Sequence, residues 1–185
     1  MAAIPDEPQF LSSENLRSAI RTIPDFPKPG ILFRDISPLL EDASLFHSTI
    51  TLLAKECEGI TPSKVVGLDA RGFIFGAALA YKLGLGFVPV RKKGKLPSAT
   101  LSHSYDLEYG SATLEIHCDS IGKGESVIVV DDLLATGGTA GAAIHLLQQL
   151  GAKVAGLLVV IELGFLQGRN ALGDTKVNSL VCYPD

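Results

Sequence analysis

Residues 127–139 run Val127-Ile128-Val129-Val130-Asp131-Asp132-Leu133-Leu134-Ala135-Thr136-Gly137-Gly138-Thr139. Four β-branched residues predict a buried strand, and the two adjacent carboxylates fall where that strand is expected to end. A small, hydroxyl-bearing turn with two glycines follows, and then a helix start. Such a turn presents backbone N–H groups and the positive end of a helix to a phosphate. Asp131 and Asp132 would repel that phosphate unless something stood between them. A sugar does so, because its hydroxyls donate to the carboxylates while its phosphate sits in the turn. The segment therefore points to a phosphorylated sugar. The competing reading is a plain helix start, with Thr136 as N-cap and the aspartates solvated. Two adjacent carboxylates favour neither folding nor capping, and their mutual repulsion costs stability.

Four other stretches carry chemistry. Gly67-Leu68-Asp69-Ala70-Arg71-Gly72-Phe73 is again a strand, a turn and a helix start. Arg71 offers a planar fork to phosphate oxygens, with bare backbone at Gly72 beside it. A surface ion pair between Asp69 and Arg71 would also account for the pattern. Arg91-Lys92-Lys93-Gly94-Lys95 concentrates four cations just past another strand. A solvated loop explains it as well as an anion site does. Ser104-Tyr105-Asp106-Leu107-Glu108-Tyr109-Gly110 reads as one end of a hairpin. Pro29 to Ser37 (Pro-Gly-Ile-Leu-Phe-Arg-Asp-Ile-Ser) could simply anchor an N-terminal arm to the core. The histidines His47, His103, His117 and His145 have no metal-ligand spacing. Dinucleotide and P-loop motifs both fail: Thr136 stands where G-x-G-x-x-G needs its first glycine, and no G-x-x-x-x-G-K-[ST] occurs.

The elements that must position these residues follow from periodicity. Leu16, Ala19, Ile20 and Ile23 define one helical face, started by Ser12 or Ser13. Four prolines between residues 24 and 38 exclude regular helix and central strand there. A second helix buries Phe46, Ile50, Leu53, Ala54 and Cys57. Strands are expected at 65–68, 87–90, 127–131, 153–161 and 177–182, with helices at 73–83 and 138–150 and a short helix before the last strand. Residues 91–104 read as a long polar connection, and 105–108 with 112–117 as a hairpin. This alternation predicts an α/β fold: a mainly parallel twisted sheet flanked by helices on both faces. Ligands of such sheets bind beyond the carboxyl ends of the strands. The turns after Leu68, Val90, Val130 and Ile161 should therefore share one rim.

Composition bounds the answer. The 185 residues are 46% hydrophobic, enough for one α/β domain with a small appendage. A net charge of −4 argues against nucleic acid as a partner. Cys57, Cys118 and Cys182 are odd in number and far apart, which fits a reducing, cytoplasmic setting. The start of the chain lacks a signal-peptide pattern, and the apolar run Val154–Ile161 is too short to span a bilayer, so no membrane association is expected.

The strand, Asp-Asp, two apolar residues and Ala-Thr-Gly-Gly-Thr resemble the phosphoribosyl pyrophosphate (PRPP) motif of type I phosphoribosyltransferases, and of the adenine-specific members in particular. All five stretches match in order. The resemblance implies that Ala135, Thr136, Gly137, Gly138 and Thr139 hold the 5′-phosphate, and that Asp131 and Asp132 accept from the ribose hydroxyls. Asp69, Ala70, Arg71, Arg91 and Lys95 would bind pyrophosphate, with Lys92 a weaker candidate and the peptide after Asp69 cis or strained. Leu32, Phe33 and Arg34 would form a base-binding hood, Phe33 stacking on adenine and Leu163 closing the other side. Residues 1–38 would be the helix and hood, and 39–185 the core, with a flexible hairpin loop at about 91–117. On that loop Glu108 would manage the proton of the purine imidazole, with Arg71 as its catalytic partner at the leaving group and Tyr109 as part of the lid. The implied reaction is transfer of a 5-phosphoribosyl group from PRPP to adenine. Mg²⁺ would be held mainly through PRPP and pyrophosphate, with no firm protein ligand, in a homodimer. A same-fold transferase for another base, or a PRPP-binding regulator without turnover, remain alternatives.

Overall fold

A computed structural model describes residues 12–106 and 110–185. Helix α1 (Ser13–Ala19) is capped by Ser12, whose side chain accepts from the Asn15 N–H. The expected helical face continues only as far as Ile20, where the backbone turns extended. Ile23 lies instead on β1 (Arg21–Pro24), because a residue before proline is driven out of the helical region. Strand β1 pairs antiparallel with β2 (Leu32–Asp35), and the two form a sheet of their own. A short helix α2 (Ser37–Glu41) follows, with Pro38 in its first turn, where a missing N–H costs nothing. Pro38 thus opens a helix that the proline count had excluded. Helix α3 (Ala43–Lys55) buries Ile50 and Leu53 as expected.

The main sheet has seven strands: β3 (Lys64–Leu68), β4 (Gly86–Lys92), β5 (Thr100–Asp106), β6 (Ser111–His117), β7 (Ser126–Leu134), β8 (Lys153–Leu163) and β9 (Val177–Tyr183). Their spatial order is β5-β6-β4-β3-β7-β8-β9. Strands β4, β3, β7, β8 and β9 run parallel, while β6 pairs antiparallel with both β4 and β5. Alternate strand residues face opposite layers. Val65, Ile128, Val130, Leu158 and Val160 pack with α1, α2, α3 and α4 (Gly72–Leu83). Val66, Leu68, Val127, Val129, Leu157 and Val159 pack with α5 (Gly138–Gln149) and the β5–β6 hairpin. This is the expected α/β architecture.

Further differences from expectation lie in the main sheet and its connections. The polar connection shrinks to residues 93–99, because Leu101, His103 and Tyr105 form an inward-facing row on β5. A histidine in that row disguised the period of two, and His103 therefore lies on a strand rather than a loop. Strand β7 continues through the carboxylates to Leu134, because the eleven-residue β8 keeps pairing with it. The short helix before β9 is a pair of 3₁₀ turns, Gly164–Leu166 and Gly168–Leu172.

Candidate active site

Strands β3 and β7 are direct neighbours, with Gly67 opposite Val130. Their carboxyl ends therefore bring the Asp69-Ala70-Arg71 turn beside Asp131 and Asp132. The Asp69–Ala70 peptide is cis. Gly72 permits the approach: a Cβ there would lie 2.8 Å from both Asp131 Oδ1 and the Val130 carbonyl oxygen. Asp131 Oδ1 in turn accepts from the Asp132 N–H at 2.9 Å. Arg71 Nε stands 2.9 Å from Asp132 Oδ2. The approach is not aligned as a hydrogen bond, so this buried oxygen has charge compensation but no directed donor. Burial and the neighbouring Asp132 charge push the Asp131 carboxyl well above the ordinary carboxylate range. Burial also raises Asp132, against the opposing pull of Arg71. The pair is short of donors, which is what a site for sugar hydroxyls requires.

The turn after β7 opens α5 at Gly137, in the left-handed conformation (φ +86°), without any side-chain cap. Thr136 is exposed and is not the N-cap, which removes the plain-helix-start reading. The first-turn N–H groups and the positive helix end thus face the cleft. The turn is braced from behind by the second 3₁₀ segment. A Cβ on Gly137 would meet the Gly168 carbonyl oxygen at 2.3 Å, and one on Gly168 would meet the Ala135 carbonyl oxygen at 2.2 Å. Arg169 fixes that segment by donating to both Glu162 oxygens (2.6 and 2.7 Å) and to the Val177 carbonyl (3.0 Å).

One cleft of about 470 Å³ collects Asp69, Ala70, Arg71, Asp131, Asp132 and the whole of Ala135–Thr139. Its size suits a small ligand. Lys92 and Tyr105 also line it. Arg91 stands just behind, its Nε 3.3 Å from Asp69 Oδ2 and its Nη1 donating to the Lys95 carbonyl at 3.1 Å. The Lys95 side chain is exposed and outside the cleft lining. Phe33 packs edge-on against Phe26 at 5.1 Å, and the Arg71 guanidinium lies 5.9 Å from its ring centre. The β1–β2 sheet therefore meets the cleft at Arg71. Leu32 is exposed, and Leu163 is half-buried at the end of β8. The Arg34 guanidinium covers the Tyr183 ring at 3.9 Å. Glu108 and Tyr109 lie outside the described residues. Among the described residues, no three His, Cys, Asp or Glu side chains converge to hold a metal ion.

Sequence reasoning missed Tyr105, Gly168 and the Glu162–Arg169 pair. Each acts on the cleft through partners more than thirty residues away or through a carboxylate whose spacing means nothing in isolation. The Gly-Arg dipeptide after β8 was the available signal for the brace.

Comparison with known proteins agrees with this geometry. Residues 40–178 match the family model described as the phosphoribosyl transferase domain. The adenine phosphoribosyltransferase of Carboxydothermus hydrogenoformans is 57% identical over 169 residues, covering 91% of this chain and 99% of that protein. The crystal structure of adenine phosphoribosyltransferase from Thermoanaerobacter pseudethanolicus superposes with a TM-score of 0.90 at 50% identity, over 93% of this chain and 100% of that one. The Saccharomyces cerevisiae enzyme, solved with adenine and D-2,5-dideoxy-2,5-imino-altritol 1,6-bisphosphate, gives a TM-score of 0.86 at 42% identity, over 91% of this chain and 97% of that one.

Proposed function

The chain belongs to the phosphoribosyltransferase family, and on that premise we propose that it joins adenine to PRPP, giving AMP and pyrophosphate in purine salvage. One observation carries the assignment of the site: a donor-poor carboxylate pair lies between an uncapped helix start and an arginine turn. A ribose with a phosphate at each end matches that order of charges. Ala135–Thr139 hold the 5′-phosphate, Asp131 and Asp132 accept from the ribose hydroxyls, and the Asp69–Arg71 turn with Arg91 faces pyrophosphate. Lys92, which lines the cleft, joins them; Lys95 completes the basic loop from outside the lining.

The C1′–oxygen bond to pyrophosphate breaks and adenine N9 bonds C1′ from the opposite face. Positive charge develops on the ribosyl group, and the Asp131–Asp132 pair is placed to favour it. Arg71 leaves Asp132 to meet the negative charge that grows on the leaving pyrophosphate. Phe33 stacks on the base, with Leu32, Arg34 and Leu163 around it, and Glu108 takes up the proton that the purine imidazole loses, with Tyr109 beside it in the lid. Closure of the hairpin excludes water, whose attack on PRPP is the competing reaction. Asp131 and Asp132 are assigned to the ribose hydroxyls and Asp69 is paired with Arg91, which supports Mg²⁺ held mainly through the oxygens of PRPP and pyrophosphate rather than by a protein cage. Bound there, Mg²⁺ neutralises pyrophosphate charge.

Residues 1–38 act as hood and 39–185 as core, a division supported by the separate β1–β2 sheet. A homodimer is supported by α4, which exposes Ile74, Ala77 and Tyr81 along one stripe. Three free cysteines support a reducing, cytoplasmic setting. Among the described residues no helix is long and apolar enough to cross a membrane. The deciding experiment supplies PRPP with adenine, hypoxanthine, guanine or xanthine and follows pyrophosphate. Release with adenine alone is expected. Release with another base in preference reassigns the hood, and PRPP binding without release in any case makes the chain a PRPP-binding regulator.

A further inference from the structure

Tyr105 has no part in the assignments above, yet it lines the cleft. It stands on the inward row of β5, two residues beyond His103, whose ring packs at a tilt of 37° against His145 of α5, with centroids 4.1 Å apart. From there the Tyr105 hydroxyl reaches the first turn of the same helix. Its oxygen lies 3.1 Å from Thr139 Oγ1, and either group can be the donor. One arm of the hairpin is thus docked along α5 at two points, one of them at the mouth of the phosphate turn.

The direction of that hydrogen bond is the informative point. Each hydroxyl has one proton to give and lone pairs to receive. A phosphate oxygen only accepts. Once a phosphate sits in the turn, Thr139 gives its proton to it, and the Thr139 oxygen is left as an acceptor. The Tyr105 hydroxyl is already in place to fill that role. We infer that Tyr105 is a positioning residue for the 5′-phosphate: its O–H donates to Thr139 Oγ1, whose own O–H donates to the phosphate. The inference rests on the reading of Ala135–Thr139 as the 5′-phosphate turn. Hydrogen bonds in such a chain polarise one another, so the phenol strengthens a contact it does not itself make. Tyr105 is also three residues before Glu108 in the sequence. Occupancy of the turn and the placement of the hairpin are therefore joined through one hydroxyl pair.

The test is a double-mutant cycle with Tyr105→Phe and Thr139→Ala, read by calorimetric titration with ribose 5-phosphate and by separate KM values for PRPP and adenine. Tyr105→Phe is expected to weaken ribose 5-phosphate and raise the PRPP KM about three- to tenfold. The adenine KM and the melting temperature of the unliganded protein should stay unchanged. In the Thr139→Ala background the same change should have no further effect. An unchanged affinity in Tyr105→Phe overturns the inference. So does an equal loss in both backgrounds, which would mean an effect independent of Thr139, or an equal loss for adenine, which would mean general loosening. If Thr139→Ala itself leaves ribose 5-phosphate binding intact, the Thr139 hydroxyl gives no proton to the phosphate and the inference is overturned, whereas the absence of ribose 5-phosphate binding by the wild type would instead overturn the underlying 5′-phosphate assignment.

Discussion

A buried Asp132 beside a half-buried Asp131 works against folding, and the size of that cost is measurable at the residue scale. Burial raises the Asp131 carboxyl above its ordinary value of 3.8. Between the unfolded and folded values the native state holds more protons than the unfolded state, so stability falls as pH rises, and above the folded value the full penalty is present. Asp131→Asn keeps an oxygen for the Asp132 N–H and removes the charge. The unliganded variant should therefore melt above wild type at about pH 7.5, with the gap narrowing toward about pH 4. Calorimetry at the two pH values checks it; a gap of constant size would remove desolvation as the cause. The cost in function appears at the neighbouring carboxylate. Hydrogen bonds to a charged acceptor contribute ~1.5–3 kcal/mol, so Asp132→Asn should raise the PRPP KM by about 10- to 150-fold. The adenine KM should move far less, and equal changes would sink the ribose assignment. Phe33 gives the complementary case: Phe33→Ala should weaken adenine and leave PRPP binding nearly intact in equilibrium titrations.

At the scale of elements, the 135–139 turn depends on a segment that never lines the cleft. Gly168 touches the Ala135 carbonyl so closely that an added Cβ would lie 2.2 Å from it. Gly168→Ala must push either the turn or the 3₁₀ segment away, and overpacking of this kind costs about 1–3 kcal/mol. Ribose 5-phosphate affinity should fall about tenfold or more while adenine affinity holds; a variant that only melts earlier, with ligand affinity unchanged, would show that the brace is merely structural. The same contact explains what the sequence could not convey. Strand β7 was legible because Val127–Val130 is a β-branched run, and α5 because the glycines and the following periodicity mark its start. The end of β7 was not legible, because carboxylates are poor strand residues unless a longer neighbour keeps pairing them, as β8 does at Leu133 and Leu134. Strand β5 was hidden by His103 occupying an inward position. The 135–139 turn, the carboxylates and Arg71, which share the cleft, could be read locally, since each lies in one stretch of chain. Gly168 and Tyr105 could not, since their partners are set by tertiary packing alone.

At the scale of the molecule, the two charged poles of the cleft are held apart by the sheet itself. The Arg71 turn follows β3 and the 135–139 turn follows β7, and these strands are paired from Lys64–Val127 to Gly67–Val130. Their separation is consequently fixed by backbone hydrogen bonds, and a ligand that spans both poles gains from both without reorganising either. A ligand that binds only the native state at a hundred times its Kd adds ~2.7 kcal/mol, which for a chain of this size raises the melting temperature by roughly 5–11 °C. At one shared concentration PRPP should therefore shift melting more than ribose 5-phosphate or pyrophosphate, each of which engages one pole. Asp132→Asn should erase most of the PRPP and ribose 5-phosphate shifts but spare that of pyrophosphate, because Arg71, released from Asp132, remains available to the anion. Thermal scans of both proteins with the three ligands check this. Equal erasure of all three shifts would mean that the poles are not independent, and that Asp132 organises the Arg71 turn as well as the ribose.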